Sequence, residues 1–120
     1  MKTLLIVEDD TDIQDYYQIL LSGLEVRMLC AFTGKQGLDF VDAGEDIDLI
    51  LLDIVLPEMG GEEFFRELRL VRQASTSVIV CSVDEKLIEP LRQIGAVQGT
   101  FLKGDPGSTL VAMIKQQLAL

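Results

Sequence analysis

The stretch Leu49–Gly61, L-I-L-L-D-I-V-L-P-E-M-G-G, decides how this chain reads. A short apolar run ends in one carboxylate, Asp53, and turn formers follow at Pro57, Gly60 and Gly61. Such a run, bounded by turn residues, reads as a buried strand. In an open parallel sheet, chemistry collects at the carboxyl ends of the strands, so Asp53 falls where a site belongs. A second strand, Thr3–Val7, ends the same way in Glu8, Asp9 and Asp10. Two strands delivering carboxylates to one edge suggest a divalent metal site.

Outward from these two strands the chain alternates. Asp12 to about Ser22 reads as a helix, with Ile13, Tyr16 or Tyr17, Leu20 and Leu24 on its apolar stripe and Gly23 as its stop. Val26–Ala31 is a strand, and Thr33–Ala43 a short helix with Leu38 and Val41 inward. Ile47–Leu52 is the third strand. Gly61 to about Arg72 is a helix with Phe64, Leu68 and Val71 on its inner stripe. Ser77–Ser82 is the fourth strand. The fourth helix lies within Asp84–Ile94, where Pro90 leaves two forms open: a late start with Pro90 in the first turn, or a distortion there. Gly99–Leu102 is a short fifth strand. Asp105 is expected to cap the last helix, with Pro106 at its first position and Leu110, Met113, Ile114 and Leu118 facing the core. Five strand–helix alternations predict a single α/β domain over residues 1–120, with a parallel sheet and helices on both faces.

The bulk properties exclude several functions. A chain of 120 residues that is 48% hydrophobic can bury a core of its own. Its two cysteines, Cys30 and Cys81, lie in strand-like runs and read as buried, reduced thiols rather than a disulfide framework. The N-terminal apolar run stops at Val7 and meets three acids, which does not read as a signal peptide, and no segment approaches the length of a bilayer span. A cytoplasmic protein is expected. The net charge of −10 argues against direct binding to a nucleic-acid backbone. The chain has no histidine, which removes Ser-His and Cys-His catalysis and imidazole metal sites. Chemistry is left to carboxylates, hydroxyls, lysine, the backbone and a hard metal.

The residues ending the strands supply that chemistry. Strand one gives Glu8 and Asp9, strand three Asp53, strand four Ser82 and strand five Lys103. Carboxylates crowded together repel unless a cation offsets them, and Mg²⁺ does so through oxygen ligands. The set suits phosphoryl transfer onto a carboxylate, with Asp53 as nucleophile and the metal and Lys103 balancing charge on the phosphoryl oxygens. Each member alone has a simpler explanation. The acids of Glu8–Asp12 can cap the first helix, which is the role expected of Asp10 and Asp12. Ser82 can be a turn hydroxyl and Lys103 a surface charge. The joint occurrence at strand ends weakens those readings.

With these residues on the page, the chain resembles the receiver domain of bacterial two-component response regulators over essentially its whole length. I-V-E-D-D at Ile6–Asp10 is similar to the acidic motif closing the first strand. D-I-V-L-P-E-M-G-G at Asp53–Gly61 follows the pattern D-x-x-x-P-x-M-x-G. V-C-S-V at Val80–Val83 puts Ser82 at the switch Thr/Ser, and F-L-K at Phe101–Lys103 puts Lys103 at the family lysine. The resemblance implies a flavodoxin-like fold, a five-stranded parallel sheet of order 2-1-3-4-5. It implies Asp53 as phosphoacceptor, fed by a phosphohistidine on a sensor histidine kinase or histidine phosphotransfer protein. Mg²⁺ or Mn²⁺ would be held by Asp9, by Glu8 largely through water, by Asp53 and by the backbone carbonyl of Val55. Lys103 would contact the phosphoryl group, and Ser82 would move toward it. The exposed face of the first helix would dock the kinase, with Gln14 and Gln18 as candidates. Helix 4, strand 5 and helix 5 would form the output or homodimer surface.

The chain departs from that pattern in three places. Gly104 stands where proline usually follows the lysine. Thr100 stands at the aromatic switch position, with Phe101 one residue over and so on the opposite face. Pro90 disturbs helix 4. A degenerate receiver acting as an unphosphorylated interaction scaffold is the alternative that Gly104 and Thr100 raise. A hydrolase of the aspartyl-phosphate type needs a second Asp where Val55 stands. A flavin-binding relative needs a hydroxyl-rich loop where the first acids stand. Turnover is expected only as self-phosphorylation and slow-to-moderate self-dephosphorylation, tuned at Val55 and Asp84. The start at Met1 favours an N-terminal receiver or a whole protein.

Overall fold

A computed structural model describes residues 1–120. Five strands, β1 (Lys2–Val7), β2 (Val26–Ala31), β3 (Leu49–Asp53), β4 (Ser77–Ser82) and β5 (Gly99–Leu102), form one parallel sheet of order β2-β1-β3-β4-β5. The helices are α1 (Thr11–Leu20), α2 (Gly34–Asp42), α3 (Gly61–Arg66), α4 (Glu89–Ile94) and α5 (Gly107–Leu118). The expected fold class and strand order are therefore observed.

Strand alternation sorts the core into two layers. Leu4 and Ile6, Leu49 and Leu51, and Ile79, Cys81 and Phe101 pack against Tyr17 and Leu21 of the α1 segment and Leu110, Ile114 and Leu118 of α5. Leu5 and Val7, Ile50 and Leu52, and Val78 and Val80 pack against Leu38, Phe64, Phe65, Leu68, Ile88 and Leu91 on the other face. The sheet is apolar on both sides because both sides are covered. The reversal of strand order between β1 and β3 puts the carboxyl edge of these strands at the crevice where such folds build sites.

Several expectations are corrected. The buried stripe of α1 runs through Gln14, Tyr17 and Leu21, one residue on from Ile13 and Leu20, which are only half-buried. Helix α3 leaves α-helical geometry after Arg66. Its last turn, Glu67–Val71, widens to i→i−5 bonding, with Arg72 N donating to Glu67 O at 3.0 Å. The wide turn rotates Val71 out to 64% exposure, off the inner stripe that regular helical spacing gives it. Helix α4 takes the late-start form, with Pro90 in its first turn behind a 3₁₀ turn at Glu85–Leu87. Asp105 does not cap α5. The turn around Gly104 (φ +104°) folds Asp105 back into a bridge with Lys103, and its amide donates to Leu102 O at 3.1 Å. Pro106 is the residue before the helix, and α5 starts without a side-chain cap. Both cysteines are free: Cys81 is buried, Cys30 half-buried.

Candidate phosphoacceptor site

The site is built where β1, β3 and β5 end. Glu8 follows β1, and Asp53 closes β3; both are buried, at 2% and 5% exposure. Their position continues the alternation of Leu4–Ile6 and Leu49–Leu51, so both lie toward the α1 and α5 side of the sheet. Lys103, two residues past Phe101, follows the same alternation. Its Nζ stands 3.1 Å from Asp53 Oδ2 and 3.4 Å from Glu8 Oε2.

The remaining oxygens of the two acids are held by backbone amides. Val55 N donates to Asp53 Oδ1 at 3.3 Å, and Asp10 N donates to Glu8 Oε1 at 3.2 Å. Asp9 lies beside them with an exposed side chain. Oxygens of Glu8, Asp9 and Asp53 all lie within 4.8 Å of one another. Three carboxylates face one ammonium, which leaves an excess of negative charge in a cluster exposed to solvent at Asp9. A hard cation with oxygen ligands and retained waters fits that set, in donor type and in charge.

The electrostatics follow from this crowding. Burial, then hydrogen bonding to Asp53 and its charge, push the Glu8 carboxyl up to about 7, against the opposing pull of the Asp10 amide and Lys103. Burial works to lower the Lys103 ammonium, but the charges of Asp53 and Glu8 outweigh it and hold the group above its ordinary value. Burial, with the neighbouring Cys81, raises the Tyr17 hydroxyl, and burial pushes the Cys81 thiol up to about 12. Neither is poised to act as a base.

The loop Ile54–Gly60 is drawn tightly over β3. Gly61 N donates to Ile54 O at 2.8 Å, and a Cβ on Gly61 would stand 2.6 Å from Asp53 O and from Ile54 Cα. Only glycine allows α3 to start this close to the strand end. This is the physical content of the glycine that closes the Asp53–Gly61 motif.

Ser82 lies on the opposite alternation, that of Val78 and Val80. Its hydroxyl donates to Asp84 O at 2.8 Å and accepts from Asp84 N at 3.1 Å. It is engaged in its own turn rather than with Asp53. Thr100 is half-buried on β5 opposite Val80, and Phe101 is in the α1 and α5 core, the opposite face. Strand alternation thus separates Phe101 from the Thr100 position, as the sequence spacing requires.

One expectation about the surface fails. Gln14, offered above as a docking residue, is fully buried, and its Nε2 donates to the carbonyls of Ile6, Glu8 and Ala31. Gln18 is half-buried, with its amide against Cys30 Sγ at 3.4 Å. The sequence held the signal: Gln14, Tyr17 and Leu21 share the i, i+3, i+7 spacing of an inner stripe, with a polar member that pattern reading passes over.

The response regulator receiver domain matches residues 4–115. The chain belongs to that family. It is 31% identical over 93 residues to the cell cycle response regulator CtrA of Brucella ovis, covering 76% of this chain and 38% of that protein. This chain therefore spans about two fifths of the length of such relatives. A CheY-like receiver domain from Methanospirillum hungatei JF-1 superposes with a TM-score of 0.87 at 26% identity, covering 99% of this chain and 94% of that one. The receiver domain of an HD domain-containing protein from Pseudomonas fluorescens Pf-5 gives 0.88 at 25%, with 98% and 94% covered.

This receiver domain is thus a part of two-component signalling, and its family is one of signalling phosphoacceptors. Family members carry Mg²⁺ at an acidic pocket and work with histidine kinases or phosphotransfer proteins and output domains. No helix is long and apolar enough to cross a membrane.

Proposed function

We propose that residues 1–120 act as one cytoplasmic receiver unit in which Asp53 accepts a phosphoryl group from a phosphohistidine on a histidine kinase or phosphotransfer protein. The observation that carries this reading is the placement of Lys103 Nζ between Asp53 and Glu8, whose oxygens lie within 4.8 Å of an oxygen of the exposed Asp9. Glu8, Asp9, Asp53 and the Val55 carbonyl would hold Mg²⁺, or Mn²⁺ in its place. Such an ion supplies charge neutralisation for the phosphoryl oxygens.

Asp53 Oδ attacks phosphorus, and the phosphorus–nitrogen bond of the donor breaks with its electron pair leaving on the imidazole. Val55 N and Lys103 orient the carboxylate, and Lys103 balances charge on a phosphoryl oxygen as it develops. Ser82 then exchanges its bonds to Asp84 for a phosphoryl oxygen. The β4–α4 segment moves with it, a two-state element biased by a new charge. Thr100 takes the place of the aromatic partner in that switch. The surface of α4, β5 and α5 carries the output contact or a homodimer. Turnover is confined to self-phosphorylation and slow-to-moderate self-dephosphorylation of the aspartyl phosphate.

Intact mass after incubation with a small phosphodonor tests this. One phosphate adduct that requires Mg²⁺ and is absent from Asp53→Ala is the expected result. An adduct of the same yield on Asp53→Ala sinks the assignment.

A further inference from the structure

Gln14 is the one side chain in the molecule that combines complete burial with an unpartnered polar atom, its Oε1. Its nitrogen is used more heavily than its two N–H groups can serve. Nε2 lies 3.1 Å from Ile6 O, 3.2 Å from Glu8 O and 3.0 Å from Ala31 O. Exchanging the amide oxygen and nitrogen would set an acceptor against those carbonyls, so the orientation is fixed by chemistry. An apolar side chain of the same size would leave no orphan on the residue itself. The amide suits this place because three carbonyls converge there and its N–H groups can donate to them.

Those carbonyls belong to the segment that carries the acids. Glu8 O is part of the peptide that joins Glu8 to Asp9, so fixing it fixes how the two side chains leave the backbone. Glu8 has further anchors in Lys103 and the Asp10 amide. Asp9 has an exposed side chain, and its direction depends on the backbone behind it. Ala31 O, at the end of β2, also accepts from Glu8 N at 3.0 Å, which ties the preceding Val7–Glu8 peptide to the neighbouring strand.

We propose that Gln14 is the positioning residue of the cation site: its buried amide clamps the ends of β1 and β2 and holds the Glu8–Asp9 peptide in the geometry that binds the ion. This rests on the reading that Glu8, Asp9 and Asp53 hold Mg²⁺. The effect travels through the backbone, as outer-shell partners of metal ligands act elsewhere.

The test is calorimetric titration of Mg²⁺ into the metal-free chain, beside Gln14→Met, which keeps the volume and removes the donors. Leu21→Ala, buried on the same side of the sheet at the far end of α1, controls for lost stability. Gln14→Met weakens Mg²⁺ by about tenfold, Leu21→Ala by less than about twofold, and at saturating Mg²⁺ the Gln14→Met adduct rate returns to within about twofold of wild type. Equal Mg²⁺ affinity in Gln14→Met and wild type overturns the proposal, as does equal weakening in Leu21→Ala. Where Gln14→Met does not fold, the wild type decides by NMR. The Gln14 side-chain N–H pair shifts with the same Mg²⁺ midpoint as the Asp9 amide, and a pair that stays still while Asp9 shifts overturns the clamp. Wild type that takes up no Mg²⁺ sinks the metal reading itself, and this inference with it.

Discussion

Glu8 and Asp53 terminate strands in which Leu4–Val7 and Leu49–Leu52 are all buried, whereas Ser82 opens into Val83–Leu87, five consecutive exposed residues. The first region is held by long-range pairing: β1 and β3 lie side by side, and each has a further neighbour, β2 or β4. The second is held by local bonds such as Leu87 N to Asp84 O at 3.1 Å and Ile88 N to Glu85 O at 3.1 Å. Helix α4 is six residues long and is anchored in the core by Leu91, with Ile88 just before it. Segments with few buried contacts and exposed backbone bonds open at low free-energy cost, and core strands only on global unfolding. The molecule keeps its charged groups at the stiff strand ends and its movable hydroxyl at the point where β4 passes into the soft segment. That division lets a new charge shift a segment without disturbing the pocket that received it.

The largest expected effect falls on the stiff region. Lys103→Met should lower the rate of adduct formation by about 10²–10³, the usual range for removing one preorganised charge-stabilising group. Stopped incubation and intact mass measure it. A wild-type rate in this variant would remove the chemistry from the strand ends, and the comparison with it. Next come two truncations of the same chemical size. Leu51→Ala in β3 should cost about 4–5 kcal/mol and Leu91→Ala in α4 about 2–3 kcal/mol, because the surroundings of α4 can collapse onto the gap. Urea unfolding of both variants checks this, and equal losses would show that α4 is as tightly held as the sheet.

The sequence made the stiff region legible and the soft one only partly so. Buried strands write themselves as apolar runs, and the acids closing them stand out because they break those runs, as at Val7–Glu8 and Leu52–Asp53. The helices that differ do so for reasons no periodicity carries. The wide turn at Glu67–Val71 is a change of hydrogen-bond register, and it shows in which residues point outward: Val71 is exposed where regular spacing puts it inside. Arg72, bonded to both Asp42 and Glu67, ties that turn to α2. Gln14 escapes pattern reading because a polar residue on an inner stripe reads as surface, and only the convergence of distant carbonyls explains it. Asp-Pro before a helix has the form of a cap, but the turn at Gly104 uses Asp105 first.

A third prediction sharpens the electrostatic half of the comparison. The Glu8 carboxyl stands at about 7 in the folded chain and near 4.5 when unfolded. The folded state therefore holds this proton where the unfolded state has released it, and stability falls as pH rises between those values. The contribution is whole below about 4.5 and lost as pH passes about 7. Metal-free protein should show its urea midpoint declining across this window, and Glu8→Gln, which has no proton to lose, should decline less. Mg²⁺ should release protons on binding near pH 6 and few near pH 8. A wild-type midpoint that tracks Glu8→Gln at every pH would show that Glu8 is not the group under strain.

The smallest effect concerns the turn that joins the two regions. Gly104 has φ +104° with open space around its Cβ position, and Gly44, at the end of α2, has φ +79° in similar space. Alanine at either should cost about 1 kcal/mol from backbone conformation alone. Their consequences separate at the site. Gly44 follows a surface helix, whereas Gly104 joins Lys103 to Asp105, the two residues that bridge to each other. If this turn belongs to the stiff region, Gly104→Ala shifts Lys103 Nζ away from Asp53 and slows adduct formation several-fold, while Gly44→Ala leaves the rate unchanged. If it belongs to the soft one, Lys103 recovers its place on its own flexible stem, and the two variants are alike in rate as in stability. The bond from Lys103 N to Ser82 O, at 2.7 Å, favours the first outcome, since it pins the lysine backbone to the end of β4 before the turn begins.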